Sequence, residues 1–282
     1  MTDTATANTA TEPSTGVGNA ATKAPGFVDT LASEWRKFWA LPASRNVLFV
    51  TIAITVGVSA LITLFSNGAD LAAQQTKGEY NVILFGGLLG VWSYIFLGAN
   101  FVASEFRTGM LDYTFVATPR RTRVLVSKIL IIGVIGLVVG VLISMVNAAM
   151  TQSALAISGY PTLNLHDPRL LRAVLLYIAV GMCLDGIVGC LLAVLVRNAV
   201  GALVLTILLI ILPPMFSQFL GKAYNHTVPR WSLGALQESI AGISKPTTDA
   251  YLPTSLALLG AAIWVTVLGI AAIIYLRRAD AR

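Results

Sequence analysis

The sequence is poor in charge, and this shortage excludes an ordinary soluble protein. Only 11% of its 282 residues are charged, whereas soluble domains carry about 25%. Hydrophobic residues make up 56% of the chain, and the mean hydropathy is +0.78. We therefore predict an integral membrane protein. The net charge of +6 does not indicate nucleic-acid binding, because the cations lie at the ends of apolar runs.

Cysteine and histidine are also scarce, and no catalytic motif is present. Cys183 and Cys190 lie seven residues apart in one apolar run. On a helix this separation is about 10.5 Å, too far for a disulfide between them. His166 and His226 stand alone in polar loops. With no phosphate loop, zinc-protease motif or nucleophile elbow, we expect no catalytic residue, metal or bound cofactor. If the protein uses ATP, another chain holds the ATP and its Mg²⁺.

Long apolar runs are what the sequence has in abundance. Six of them can cross about 30 Å of hydrocarbon at 1.5 Å per residue. We predict an all-α integral membrane fold with six transmembrane helices, at residues 47–65, 82–103, 124–150, 173–196, 200–219 and 256–276. Residues 1–26 are predicted to form a disordered cytoplasmic tail, and residues 27–282 one six-span domain.

Lysine and arginine are distributed unevenly between the two sides of these spans. Thirteen of the 19 cations fall at one set of ends, and cytoplasmic loops carry an excess of such residues. We therefore predict a multi-pass protein of the cytoplasmic membrane with both termini inside.

Two shorter stretches are amphipathic. Residues 27–41 place Phe27, Leu31, Trp35 and Phe38 on one face, which predicts a helix lying among the lipid headgroups. Late in the fifth run, Pro213-Pro214 should kink or end the helix. The segment beyond forms either a packed loop or a short helix that dips into the outer interface, with the apolar residues Trp231, Leu233, Leu236 and Ile240.

The polar stretch from Ser104 to Lys128, between the second and third runs, carries five cations and two anions. Phe106, Met110, Tyr113 and Ala117 recur at spacings of four, three and four, so they share one face of a short helix. Two interpretations remain open. The stretch is either an interfacial loop whose cations reach the headgroups, or a docking helix that offers an apolar face to a cytoplasmic partner.

Asp185 is an ionisable residue well inside a predicted span. A charge at this depth costs at least about 2.5–3.5 kcal/mol, so its side chain should face the bundle interior or a wet cavity. It either belongs to a substrate pathway or only packs the bundle. Asn100 and Asn147 are weaker candidates for the same pathway. An intramembrane enzyme would need a second polar group beside Asp185, and none is evident.

Four motifs point to one family. They are S-E-W-R-K-F at Ser33–Phe38, S-E-F-R-T-G-M at Ser104–Met110 followed by A-T-P-R-R-T-R-V at Ala117–Val124, L-V-R-N-A-V-G-A at Leu195–Ala202, and Leu212-Pro213-Pro214 followed by V-P-R-W-S at Val228–Ser232. In their six-span context they resemble the type-2 permeases of bacterial ABC transporters, which have the fold of ABCG-like exporters. The resemblance covers residues 27–282.

The resemblance implies a permease subunit that pairs with a second permease, identical or different, and with a cytoplasmic dimer of ABC ATPase subunits. Residues 27–41 would be the connecting helix, and spans two and five would line the substrate pathway. A coupling helix would enter a groove of the ATPase through Glu105, Phe106, Arg107, Thr108, Gly109, Met110 and Tyr113. The alternative is an ATP-independent membrane carrier or scaffold.

Overall fold

A computed structural model describes residues 26–69, 71–72, 81–108, 121–164, 166–217, 219, 227–244 and 251–278. Across these residues every regular element is helical, and six helices are long and apolar enough to span a membrane. The all-α, six-span prediction is confirmed to this extent. The predicted tail, apart from Gly26, and the predicted coupling residues Gly109, Met110 and Tyr113 lie outside the described residues.

The helices follow the predicted order but extend beyond most of the apolar runs, because their polar ends continue the same hydrogen-bonded ladder. The candidate spans are α2 to α6 and α8. The elements are α1 (Phe27–Ala40), α2 (Pro42–Phe65), α3 (Asn81–Thr108), α4 (Arg121–Ile157), α5 (Pro168–Val196), α6 (Ala199–Ser217), a 3₁₀ turn (Pro229–Trp231), α7 (Leu233–Ala241) and α8 (Thr254–Arg278).

Helix α5 is the centre of the bundle. Seventeen of its residues are buried, and it packs against α3, α4, α6, α7 and α8. Glycines allow the neighbouring backbones to approach closely. A Cβ on Gly140 of α4 would collide with Ala179, and one on Gly98 of α3 would collide with the carbonyl of Gly186. Surrounded by protein, α5 is apolar on nearly all sides.

Helix α2 turns a polar stripe inward and its apolar side outward, as expected where the surrounding solvent is lipid. Its hydroxyl groups face the neighbouring helices, and the Thr51 hydroxyl lies 2.8 Å from that of Ser93 on α3. The polar residues of α2 that are buried are Ser44, Thr51, Thr55, Ser59 and Thr63.

The helix predicted near residues 27–41 is present as α1, and Leu41 alone separates it from α2, which begins at Pro42. Phe38 is fully buried, and its ring meets that of Phe101 on α3 at 5.4 Å. Trp35 remains well exposed. Helix α1 therefore packs against the bundle through one face, and its placement among headgroups stays a prediction.

The 3₁₀ turn and α7 pack along α8, from its middle back to its first residue. The side chain of Arg172 donates to the carbonyl of Ile240 and to the hydroxyl of Thr254, so the end of α7 lies where α8 begins. Trp264 donates to the carbonyl of Trp231 at 2.8 Å. Since Trp264 lies about 15 Å further along α8 at 1.5 Å per residue, the 3₁₀ turn lies beside the middle of α8. The predicted short helix is thus confirmed as α7, preceded by this turn.

The turn between α5 and α6 explains the Leu195–Ala202 motif. Arg197 ends α5 with φ of 56°, a left-handed conformation that is uncommon for a residue with a Cβ. Asn198 then caps α6, its side-chain oxygen accepting from the backbone N–H of Val200 and of Gly201. Helix α6 contains Pro213-Pro214 and ends three residues later, at Ser217.

Candidate functional site

Four charged side chains from three helices meet at the end of the bundle that holds α1. We call this group the charge cluster: Glu34 and Lys37 of α1, Glu105 of α3 and Lys128 of α4. Lys128 Nζ lies 2.6 Å from Glu34 Oε2 and 2.9 Å from Glu105 Oε1. Lys37 Nζ lies 2.6 Å from Glu34 Oε1 and 3.4 Å from Glu105 Oε1. The cluster therefore ties α1, α3 and α4 together.

The charge cluster is neutral and almost closed to water. Glu34 is 1% exposed, Lys128 3% and Glu105 4%. The Nζ of Lys128 also lies 4.0 Å from the ring centroid of Phe101. Burying one such ion alone costs several kcal/mol, and only close pairing offsets this cost. The charge cluster thus holds the three helices in one relative position, because separating them would leave buried charges unpaired.

Lys37 is the most exposed member of the charge cluster and keeps its charge. Burial alone lowers the pKa of Lys37, but the hydrogen bond and charge of Glu34, and then those of Glu105, outweigh this effect. The net result is a pKa raised from its ordinary value of 10.5.

The predicted coupling residues fall into different environments. Glu105 is buried in the charge cluster, so its carboxylate faces the chain itself. Phe106 packs within the bundle, with the guanidinium of Arg197 5.6 Å from its ring centroid. Arg107 is exposed, and Thr108 is the last residue of α3. Of the predicted residues whose side chains are described, only Arg107 presents an exposed surface.

A cavity of about 460 Å³ lies between the end of α3 and the α5–α6 turn. Asn100, predicted as a pathway residue, lines it together with Arg107 and Arg197. The two cations give this cavity a positive wall. Asn100 is therefore placed close to the predicted coupling residues.

A second cavity, of about 620 Å³, lies between α3, α5, α6 and the segment containing α7. We call it the bundle cavity. Two predicted spans that the family resemblance assigned to the pathway, here α3 and α6, contribute to its wall. Representative lining residues are Trp92, Tyr177, Asp185, Ile210, Ser232 and Gln237.

Asp185 lies in the wall of the bundle cavity and has a polar partner. The side-chain amide of Gln237 donates to Asp185 Oδ1 at 2.6 Å, and both residues are buried. Glu238, next to Gln237, lines the same cavity. The expectation that Asp185 has no second polar group beside it was therefore wrong. The partner is 52 residues away in sequence, on a segment for which the sequence suggested at most a dip into the outer interface.

Asn147 is buried in α4 but lines neither cavity. Its side-chain oxygen and nitrogen have no hydrogen-bond partner within the described part of the chain. The three predicted pathway residues thus lie in three separate places, and Asp185 alone lies in the larger cavity.

Arg172 fixes the segment that carries Gln237. Its guanidinium makes two hydrogen bonds to the carbonyl of Ile240, at 2.6 and 3.2 Å, and one to the hydroxyl of Thr254. A cation at the carboxyl end of α7 also meets the negative end of the helix dipole. Helix α5 therefore holds α7 at two points, through Asp185 at its middle and through Arg172 at its carboxyl end.

Comparisons with protein-family models, with curated proteins and with solved structures found no match for this chain.

Proposed function

We propose that this chain is the permease subunit of an ATP-driven exporter of the type-2 ABC class, powered by a separate cytoplasmic ATPase. The observation that carries the proposal is the charge cluster, which joins the amphipathic helix α1 to the ends of α3 and α4. Those two ends flank the polar stretch that the family resemblance identifies as the docking element. A force applied there acts on α1, α3 and α4 together.

Helix α3 connects the docking region to the bundle cavity. Glu105 lies near its end, and Trp92 lines the bundle cavity about 20 Å away along the same helix at 1.5 Å per residue. A helix transmits displacement over such a length as a stiff element, and Gly98 brings it into backbone contact with α5 beside Asp185. Movement of the docking region would therefore alter the cavity, which is what alternating access requires.

In this proposal the docking role is divided among the predicted residues. Glu105 acts by holding α3 to α1 and α4, because its carboxylate is buried among them. Arg107 is exposed, one residue before the end of α3, and its guanidinium is suited to meet a partner. Gly109, Met110 and Tyr113 keep their predicted role in docking. The proposed partners are an ABC ATPase dimer that binds ATP and Mg²⁺, a second permease copy and the lipids of a bacterial cytoplasmic membrane.

The test is to purify the tagged chain in mild detergent from cells that naturally produce it. We expect a subunit with Walker motifs and ATP hydrolysis to co-purify. Arg107→Glu should reduce its recovery, whereas Arg107→Lys should retain it. Arg277→Glu is the matched control, since Arg277 is an exposed arginine in the last turn of α8. Absence of any such ATPase, together with no ATP-dependent transport in inside-out vesicles, would overturn the proposal.

One observation also favours an ATP-independent carrier. The 3₁₀ turn and α7 place Gln237 beside the middle of α5, and carriers often build their sites from interrupted helices near the bilayer midplane. Reconstitution separates the two candidates. A carrier would move its substrate in proteoliposomes that contain this chain alone and an ion gradient, whereas the permease requires the ATPase.

A further inference from the structure

The bundle cavity has the size and lining of a binding site for a small organic molecule. Its volume of about 620 Å³ falls within the range of about 300–1,000 Å³ typical of ligand pockets. Most of its wall is apolar, and Trp92 of α3 and Tyr177 of α5 contribute aromatic rings. An occupant would therefore need a largely apolar body.

The wall has two acidic groups and no basic one among its described residues. Asp185 and Glu238 contribute carboxyl groups, and Ser232 and Gln237 are neutral. Within the described part of the chain, no lysine or arginine lines the cavity. Arg172, which lies on the same helix as Asp185, is engaged with the carbonyl of Ile240 and the hydroxyl of Thr254 instead. The chain thus supplies two carboxyl groups here, and the described wall supplies no cation to pair with them.

In the charge cluster, the same chain neutralises the buried carboxylates that hold its own helices together. Glu34 and Glu105 each lie within 2.9 Å of the Lys128 ammonium. Asp185, which is 1% exposed and borders the bundle cavity, accepts from the neutral amide of Gln237 and has no cationic partner among the described residues. A buried carboxylate lacking a counter-charge is costly, so a cation entering the cavity would be favoured. The rings of Trp92 and Tyr177 would add cation–π attraction.

The opening of the bundle cavity also suits an amphipathic molecule. Leu88 of α3 and Ile211 and Met215 of α6 line the cavity and are at the same time exposed, Met215 at 56%. The cavity therefore opens on the apolar face between α3 and α6. A ligand would reach it from the hydrocarbon or from between two subunits, which excludes a small hydrated ion as the natural occupant.

We propose that the bundle cavity binds an amphipathic organic cation, its positive centre held near Asp185 and its apolar body along Trp92 and Tyr177. The further statement that this molecule is the transported cargo rests on the proposed transport function. Binding itself requires only this chain.

The experiment measures equilibrium binding of radiolabelled tetraphenylphosphonium to the full chain in nanodiscs of neutral lipid, with empty nanodiscs as the blank. Tetraphenylborate, which has the same shape and the opposite charge, is the second probe. We expect saturable binding of the cation and weak binding of the anion. Asp185→Asn should weaken cation binding about tenfold or more, because it removes the charge and keeps an oxygen for the Gln237 amide.

Asp167→Asn is the matched control. Asp167 lies just before the first residue of α5, is exposed, and caps the helix by accepting from the N–H of Arg169, a role that asparagine fills equally well. The substitution Asp167→Asn removes one negative charge next to the same helix, and it should leave cation binding unchanged. If Asp185→Asn does not elute as a folded protein, the variants Trp92→Leu and Trp92→Phe are compared instead. We expect weaker cation binding for Trp92→Leu and unchanged binding for Trp92→Phe, which keeps an aromatic ring.

Equal binding of the two probes, or cation binding that survives the loss of Asp185 or of the Trp92 ring, would overturn the inference. The two proposals can fail separately. If an ATPase co-purifies with the chain but the chain does not bind the cation, the proposed transport function stands and the proposed class of cargo is wrong. If cation binding depends on Asp185 but no ATPase co-purifies, the proposed binding site stands and the ATP-driven function is wrong.

Discussion

The chain buries carboxylates in two regions and surrounds them in opposite ways. In the charge cluster, Glu34 and Glu105 are paired with two ammonium groups, and the packing is closed. In the bundle cavity, Asp185 has one neutral partner and open space beside it. The comparison teaches that a buried acid by itself does not define a site. An acid neutralised within the chain serves to hold helices together, whereas an acid left beside space is available to a ligand.

The largest effect expected from this comparison concerns Lys128. Lys128→Met leaves two buried carboxylates facing each other, with only the partly exposed Lys37 beside them. Removing one partner of a buried ion pair costs about 3–5 kcal/mol, so the variant should lose most of its thermal stability in detergent. Fluorescence-detected size-exclusion chromatography after heating provides the measurement.

The control for Lys128 is Arg277→Met, which removes an exposed cation from the last turn of α8 and should leave the melting temperature unchanged. The double variant Glu105→Gln, Lys128→Met removes one charge of each sign and should recover part of the loss. A melting temperature for Lys128→Met equal to that of the wild type would show that the charge cluster does not hold α1, α3 and α4.

The second prediction tests whether the two regions are mechanically connected. Gly98→Ala adds a methyl group against the backbone carbonyl of Gly186, next to Asp185, so α3 must move away from α5. Overpacking of this kind costs about 1–3 kcal/mol. We expect a lower melting temperature together with altered tetraphenylphosphonium binding. Gly57→Ala is the matched control, because a Cβ at Gly57 meets nothing within 4 Å. If Gly98→Ala lowers the melting temperature but leaves cation binding unchanged, the two regions are not mechanically connected through α3.

Composition and apolar runs were sufficient to predict the six spanning helices, because span length and lipid exposure are local properties of the sequence. They also predicted that Asp185 is buried, and they gave a helix as one of two forms for the segment that contains α7. The partners of the buried charges could not be predicted. Glu34 and Lys128 lie 94 positions apart, and nothing in either local pattern selects the other. Gln237 is similarly remote from Asp185, and only the packing of α7 against α5 brings them together.

The third prediction contrasts Asp185 with Lys128 in stability. Asp185→Asn removes a buried acidic group but keeps an acceptor for the Gln237 amide, so stability should be unchanged or higher by about 1 kcal/mol. The measurement is the same heating experiment used for Lys128→Met. A loss of stability comparable with that of Lys128→Met would make Asp185 a packing residue and would remove the contrast between the two regions.

The smallest effect concerns Lys37, whose side chain is 29% exposed. Lys37→Met should lower stability by about 1 kcal/mol or less, since solvent screens this pair. Because the folded-state pKa of Lys37 is raised from 10.5, its contribution is fully present below 10.5 and is lost only as the pH rises through the higher folded value. The difference in melting temperature between the wild type and Lys37→Met should therefore stay constant from pH 7 to 9. A difference that disappears within this range would mean that the Lys37 ammonium is not held by Glu34 and Glu105, and that the charge cluster is carried by Lys128 alone.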